Sequence, residues 1–296
     1  MRELRLVLSL LGAAALCADL NRVAAQELEI RLNRPAKADQ VYRVVIHVSE
    51  QHKNTTKAEE KVIDEAADER RIDFIANARI VAVDDKGKPT QIEYTMEKMN
   101  LEHGEDHLEL LVKDQLLTAK LEGGRTTFAL REGDFFPEAR ECLPLVLDLG
   151  EDFLDDAVFG TEQNRAVNSS WPVKAPAATR VLERINILAK PEWIKGSLKF
   201  AALKHTGTAD TLELTGDLTV TPFKPGDLSP DYTLTAASMK ASFALSLPKD
   251  PAKMRLEESA TRTASATLKG QVKDQEIVVE MTSKYVRSVK YQDPPK

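Results

Sequence analysis

The sequence has 296 residues, a formal net charge of −6, and 42% hydrophobic but only 5% aromatic residues. That length accommodates one large β unit or two smaller ones with substantial cores. Lysine and arginine are scattered among the acids rather than gathered with aromatics, which argues against nucleic acid as a partner.

Residues 1–25 read as a secretory signal peptide. Arg2 and Arg5 precede an apolar run from Leu6 to Cys17, which is shorter than the ~20 residues a spanning helix needs. Cleavage after Ala25 is favoured over cleavage after Ala18, because Gln26 opens a polar stretch. Cys17 raises lipid anchoring, but Leu16 before it is too large for the usual small residue there. Loss of Arg2, Arg5, Arg22, Glu3 and Asp19 takes the charge from −6 to −7 and leaves Cys142 as the one cysteine. An exported chain without an internal disulfide then relies on its core. The expected location is periplasmic or extracellular, with no transmembrane span in the mature chain. Cys142 itself reads as a small buried hydrophobe.

The first strand is expected from Gln40 to Ser49, and the next from 70 to 84, where Ile72, Phe74, Ala76, Ala78 and Ile80 alternate. Glu59-Glu60-Lys61 and the charged stretch from Glu65 to Arg71 read as a loop or a strand edge that resists pairing. Asp85-Lys86-Gly87-Lys88-Pro89 predicts a tight turn. The returning strand, Ile92 to Leu101, carries a bulge between Met96 and Met99. His107 to Glu122 continue the meander, and Gly123-Gly124 turn it into Thr126 to Leu130.

From Pro137 to Phe159 the apolar residues fall at three and four spacing. Two short helices are expected around 139–158, broken at Pro144 and Gly150. Glu151, Asp152, Asp155 and Asp156 suggest a calcium cluster at first sight, but their spacing favours the solvated side of a short helix containing Phe153 and Leu154. Thr179 to Ala189 form a strand or a helix. Leu198 to Leu203 and Thr211 to Thr221 make a hairpin across His205 to Thr208. In the last third the apolar phase shifts at Ala236-Ala237, which predicts a bulge. Leu256 to Leu268 and Ile277 to Val286 follow, with a turn at Lys269-Gly270-Gln271 between them.

The fold class is therefore all-β or mainly β: a long antiparallel meander forming a strongly curved sheet or half-barrel, with short helices around 139–158. Two meanders are expected, 26–160 and 161–296, the second continuing the first.

Chemistry-bearing residues are densest at Glu102 to Glu109. His103, Glu105 and His107 share a face if the segment is extended and could hold a divalent metal, but Gly104-Glu105 reads as a solvated hairpin tip, and that reading is preferred. The sequence contains no HExxH, GxSxG, P-loop or GxGxxG motif, so no cofactor is called for. Leu143, Leu145, Phe153, Leu154 and Trp171 are candidates to cover a ligand groove, although core packing is the plainer role for Trp171.

The order of signal peptide, β meander, short acidic loop, Gly160 with Trp171-Pro172, and second meander resembles the uncharacterised exported β-rich proteins of bacterial envelopes such as those of planctomycetes. In broad architecture it is also similar to periplasmic lipoprotein carriers and lipid-binding half-barrels. That likeness implies an apolar cavity, an acyl lipid or lipoprotein as partner, and no catalysis, although the long helix under the sheet of those carriers is missing. The leading expectation is a noncatalytic periplasmic binding or carrier protein for a hydrophobic ligand or lipidated partner. The alternatives are a structural envelope protein with solid-core β-sandwich halves that recognises other proteins along its strand edges, and a metal-dependent enzyme using His103 and His107.

Overall fold

Alternation of burial along the long strands dictates the architecture, as over the second half of a strand 23 residues long. The computed structural model describes residues 27–150, 153–206, 209–272 and 275–294. The expected signal peptide, its cleavage site and Cys17 lie outside the described residues.

The amino-terminal meander comprises β1 (Val41–Ala58), β2 (Lys61–Val83), β3 (Pro89–His103), β4 (Asp106–Leu111), β5 (Leu116–Glu122) and β6 (Arg125–Leu130). Helices α1 (Pro137–Val146) and α2 (Asp156–Phe159) follow, then β7 (Ser170–Pro172), α3 (Ala175–Arg184) and β8 (Ile187–Leu188). The second meander is β9 (Ile194–Thr206), β10 (Ala209–Val220), β12 (Tyr232–Pro248), β13 (Glu257–Val272) and β14 (Gln275–Gln292), with β11 (Lys224–Pro225) pairing β8 beside it.

All the long strands belong to one large, curved antiparallel sheet in the order β6-β5-β3-β2-β1-β14-β13-β12-β10-β9-β7, with β4 also on β3. The two meanders meet at β1 and β14, which pair from Arg43↔Gln292 to Ala58↔Ile277. Side chains directly opposite each other share a face. Phe74, Ile46, Val289, Glu258 and Leu245 thus form one row across five strands. That face carries two apolar clusters. Phe74, Ile46, Tyr94, Met99 and Leu117 pack under α1, while Phe200, Leu214, Leu218, Phe243 and Leu247 pack under α2 and α3. The opposite face is polar, as at Ser238, Ser265, Thr282 and Lys53.

Several local expectations meet their physical cause here. Between Met96 and Met99 the register with β2 shifts, leaving Glu97 as the extra residue. Arg43 and Asn77 donate to its carboxylate and hold the bulge. The shift in β12 falls at Thr235, whose hydroxyl donates to the Thr267 carbonyl. In the tight turn after β2, Gly87 has φ +78°, and an added Cβ would stand 3.0 Å from Pro35. Close approach and handedness both require glycine there.

Other expectations are narrowed or corrected. Of the two readings of the charged stretch, the strand edge holds and the loop does not: residues 61–69 are the first half of β2, paired with β1 on one side and past the end of β3 on the other. Its side chains are exposed because neither helix layer extends that far. The turn expected at Lys269-Gly270-Gln271 is strand: Gly270 opposes Tyr232, whose ring lies 2.9 Å from where a Cβ would stand. Glycine makes room for the aromatic ring instead of turning the chain. Pro144 lies inside α1, close to its end, rather than breaking it. Of the two readings of Thr179 to Ala189, the helix holds for residues 179–184, which end α3, and the short β8 follows.

Phe74 is fully buried at the centre of the first cluster, edge-on to Tyr94 at 5.6 Å between ring centroids. Phe74→Ala should cost roughly 3–5 kcal/mol, since a large void cannot collapse in so long a sheet. Urea unfolding monitored by circular dichroism should show the midpoint fall with an unchanged slope.

Candidate functional site

Between the two apolar clusters, the inward positions of β13 and β14 turn polar. Glu258, Arg262, Tyr285, Arg287 and Tyr291 all occupy the buried-side parity of their strands. Of this seam, Glu258, Arg287 and Tyr291 line the floor of a cleft of about 640 Å³ whose apolar side chains belong to the first cluster. Tyr42, Val44, Ile46, Ile80, Ile92 and Tyr94 line its sheet side. Its walls are the amino-terminal segment at Asn33, Arg34 and Ala36, the turn 84–89, the connection 147–157 and the approach to β13 at Met254 and Arg255.

Glu258 is the centre of the charge arrangement. Its carboxylate is 4% exposed and accepts from Arg255 at 2.7 Å and from Arg287. Burial alone would raise its pKa, but the charges and hydrogen bonds of Arg287 and Arg255 outweigh burial and hold the carboxyl below its ordinary value. The same arginines fasten the cover. Arg287 donates to the Val146 carbonyl at the end of α1, and Arg255 donates to the carbonyls of Leu154 and Leu32. Tyr285 donates its hydroxyl to the Leu145 carbonyl at 3.0 Å.

The acidic pair after Phe153 fastens the wall from the other side. Asp155 is buried rather than solvated. It caps the Ala157 amide, accepts from the Asn33 side chain at 2.8 Å and pairs with Lys88. Burial raises its pKa, and those partners more than reverse the effect. The Asp156 carboxylate accepts from the amides of Leu32 and Asn33 at 2.8 and 3.0 Å. The solvated helix face expected from the spacing is thus corrected for Asp155 and Asp156, which tie a distant extended segment to the fold; Glu151 and Asp152 lie outside the described residues. Three phenols, Tyr42, Tyr94 and Tyr291, line the floor, and burial pushes each well above the usual tyrosine range. They are neutral donors at any ordinary pH.

Leu143 and Leu145 pack on α1 against the first cluster, whereas Phe153, Leu154 and Trp171 pack in the second. None of these five side chains is among those lining the cleft; they stand in the packing on either side of it. The Trp171 indole donates to the Phe159 carbonyl, and Arg165 stacks 5.2 Å from its ring centroid. Cys142 is buried in the first cluster, and burial raises its thiol pKa.

His103 pairs with Asp68 across the β2–β3 edge, His107 lies 3.9 Å from Glu102, and Glu105 occupies the exposed turn between β3 and β4. The three are not gathered around one point, and no group of three potential metal ligands occurs among the described residues. Sequence reading passed over Arg34, Arg255, Glu258, Arg287 and the three tyrosines. One signal was present: Arg287 sits at the same parity as its neighbours Tyr285, Val289 and Tyr291, a charge within an apolar and aromatic run.

No protein-family model matches the sequence, and comparison with curated proteins finds no relative. Among solved structures, lipovitellin, described for its lipid–protein interactions, aligns over 88% of this chain and 26% of its own at 9% identity, with a TM-score of 0.29. This chain thus spans about a quarter of that one. The outer membrane protein OprG from Pseudomonas aeruginosa aligns over 88% of this chain and 99% of its own at 6% identity, TM-score 0.19. A LolA superfamily protein from Nitrosomonas europaea aligns over 88% and 90% at 10% identity, TM-score 0.12. Scores this low carry no argument. No helix among the described residues is long and apolar enough to cross a membrane.

Because Glu258 is held charged in the fold, the unfolded chain binds more protons between the two pKa values, and stability rises with pH there. Its contribution should be complete above the ordinary carboxylate pKa of 4.5 and lost as pH falls through the depressed folded value. Glu258→Gln removes the carboxylate charge that the partly buried Arg255 and Arg287 share and should cost roughly 3–5 kcal/mol at neutral pH. Thermal melts of both proteins across an acid series should converge as pH falls; a constant gap would show that the carboxylate charge is not the cause.

Proposed function

We propose that the protein is a noncatalytic binding or carrier protein whose ligand is largely apolar and occupies the cleft that opens over the first cluster. The observation that carries this reading is the cleft itself. Its volume of about 640 Å³ lies within the roughly 300–1,000 Å³ typical of small-molecule sites, and aliphatic side chains surround a few fixed polar groups. A sheet built only for stability would close that space with side chains.

The chemistry of the lining favours binding over catalysis. Glu258 and Asp155 are fixed as anions by their partners, and the tyrosines are held neutral. Neither set has a pKa shifted toward the neutral range where a general acid or base works. A periplasmic setting, with a free acyl lipid or the lipid of a lipoprotein as cargo, belongs to the same proposal. So does the division into two meanders at about residue 160, with the cleft where they meet.

Recognition of partners by strand addition is disfavoured by the edge at 61–69, where Lys61, Asp64, Glu65, Asp68 and Glu69 stand exposed. Charge on an open edge deters pairing.

Nile red, an uncharged apolar dye, tests the proposal. Its fluorescence should rise and saturate near one dye per chain. Met254→Trp places a larger side chain at the cleft wall and should weaken that binding about tenfold, or ~1.4 kcal/mol, with little change in melting temperature. Native mass spectrometry of protein purified without detergent should show a copurifying amphiphile. A bare mass together with no saturable dye binding would overturn the reading in favour of a solid-core structural protein.

A further inference from the structure

We propose that the cleft selects a singly charged oxyanion head on its apolar ligand, a carboxylate on an acyl chain, and that Arg34 is the residue that reads it. This inference rests on the binding role proposed above.

The argument starts from the guanidinium count at the cleft. Arg34, Arg184, Arg255 and Arg287 all line it, with Lys86 and Lys88. Arg255 and Arg287 share the one Glu258 carboxylate, Arg184 pairs with Asp148, and Lys88 pairs with Asp155. Arg34 stands on the side of the cleft formed by the amino-terminal segment. Its Nη1 donates to the Asp250 carbonyl at 2.8 Å, whereas its Nε is buried and has no hydrogen-bond partner among the described residues. A buried guanidinium nitrogen without an acceptor is costly, and few native donors are left that way. The Nε edge of the planar fork matches the two oxygens of a carboxylate.

The electrostatic surroundings agree. Burial and the nearby Arg255 charge lower the Arg34 pKa to about 10, with Arg31 acting in the same direction and Asp156 and Asp250 opposing. An anion bound beside Arg34 would relieve the repulsion between the arginines. The same two aspartates, together with Asp155 on the wall, would oppose a second negative charge, which favours a carboxylate over a dianionic phosphate. The rest of the ligand would then lie along Tyr42, Val44, Ile46 and Ile92, where aliphatic chain is favoured and the neutral phenols repel no anion.

The test compares oleate, oleyl phosphate and oleyl alcohol, which share a tail and differ in head group, as competitors that displace Nile red from the full chain near neutral pH. Oleate should bind at least about tenfold more tightly than the alcohol and more tightly than the phosphate. In Arg34→Gln that preference should vanish while alcohol binding stays constant. In Arg34→Lys, which keeps the charge but loses the planar fork, it should be reduced. The wild-type comparison stands even if a variant folds poorly. Equal affinity for oleate and the alcohol would overturn the head-group inference and leave the apolar cleft intact. Tighter binding of the phosphate would overturn the choice of a singly charged head. An oleate preference that survives in folded Arg34→Gln would overturn the role of Arg34. Failure of the dye and all three competitors to bind would overturn the binding role and this inference together.

Discussion

The pairing of β1 with β14 is the interaction on which everything else depends. It joins the first long strand to the last through a register running from Arg43↔Gln292 to Ala58↔Ile277. Without it, two meanders would each present an open edge many residues long, and neither apolar cluster would have a complete floor. With it, both clusters share one continuous face, and the boundary between them falls on β13 and β14. That boundary is polar: Glu258 and Arg287 occupy positions where an aliphatic pair would have merged the two cores, and both also line the cleft that opens over the first cluster.

A buried ion cluster at such a boundary has a double character. Replacing it with well-packed apolar residues is often neutral or stabilising, whereas breaking it by halves is strongly destabilising. Here the arginines also reach the carbonyls of Leu32, Val146 and Leu154. They satisfy the backbone of irregular segments that cross the sheet and would otherwise bury unpaired acceptors. The cluster thus holds apart two layers of side chains while holding down the connections above them. Asp155 and Asp156 do the same for the amino-terminal segment, which brings Arg34 to the cleft.

Much of the sheet was legible because half-buried strands leave a period of two. Ile72 through Ile80 shows it plainly, and the bulge between Met96 and Met99 could be placed because one residue too many separates two inward methionines. The first half of β2 was not legible. Residues 61–69 face solvent on both sides, so hydrophobic alternation has nothing to act on, and β1 alone holds them extended. Gly270 misled for a different reason: its role is set by the ring of Tyr232, which lies opposite it but 38 positions earlier in the sequence. The cleft was hidden in the same way. Arg34, Tyr42, Glu258 and Tyr291 come together only through the β1–β14 seam and the aspartates of the 147–157 connection, and no local pattern encodes either. The helical segments around 139–158 were visible, but the wall between them is held by Arg255, Asn33 and Lys88, which come from distant parts of the chain.

The central place of β14 also sets the order in which the chain can assemble. β1 finds one neighbour, β2, directly after it in the sequence, while its other neighbour, β14, follows all the other described strands. A nascent chain therefore carries β1 with one side unpaired throughout synthesis of some two hundred intervening residues. Contacts so distant in sequence slow folding, and an unsatisfied strand edge invites wrong partners while it waits. In the outer part of β1, the side chains of Glu50, His52, Lys53 and Lys57 carry charge or a titratable ring. They would keep the waiting edge soluble until its final strand arrives.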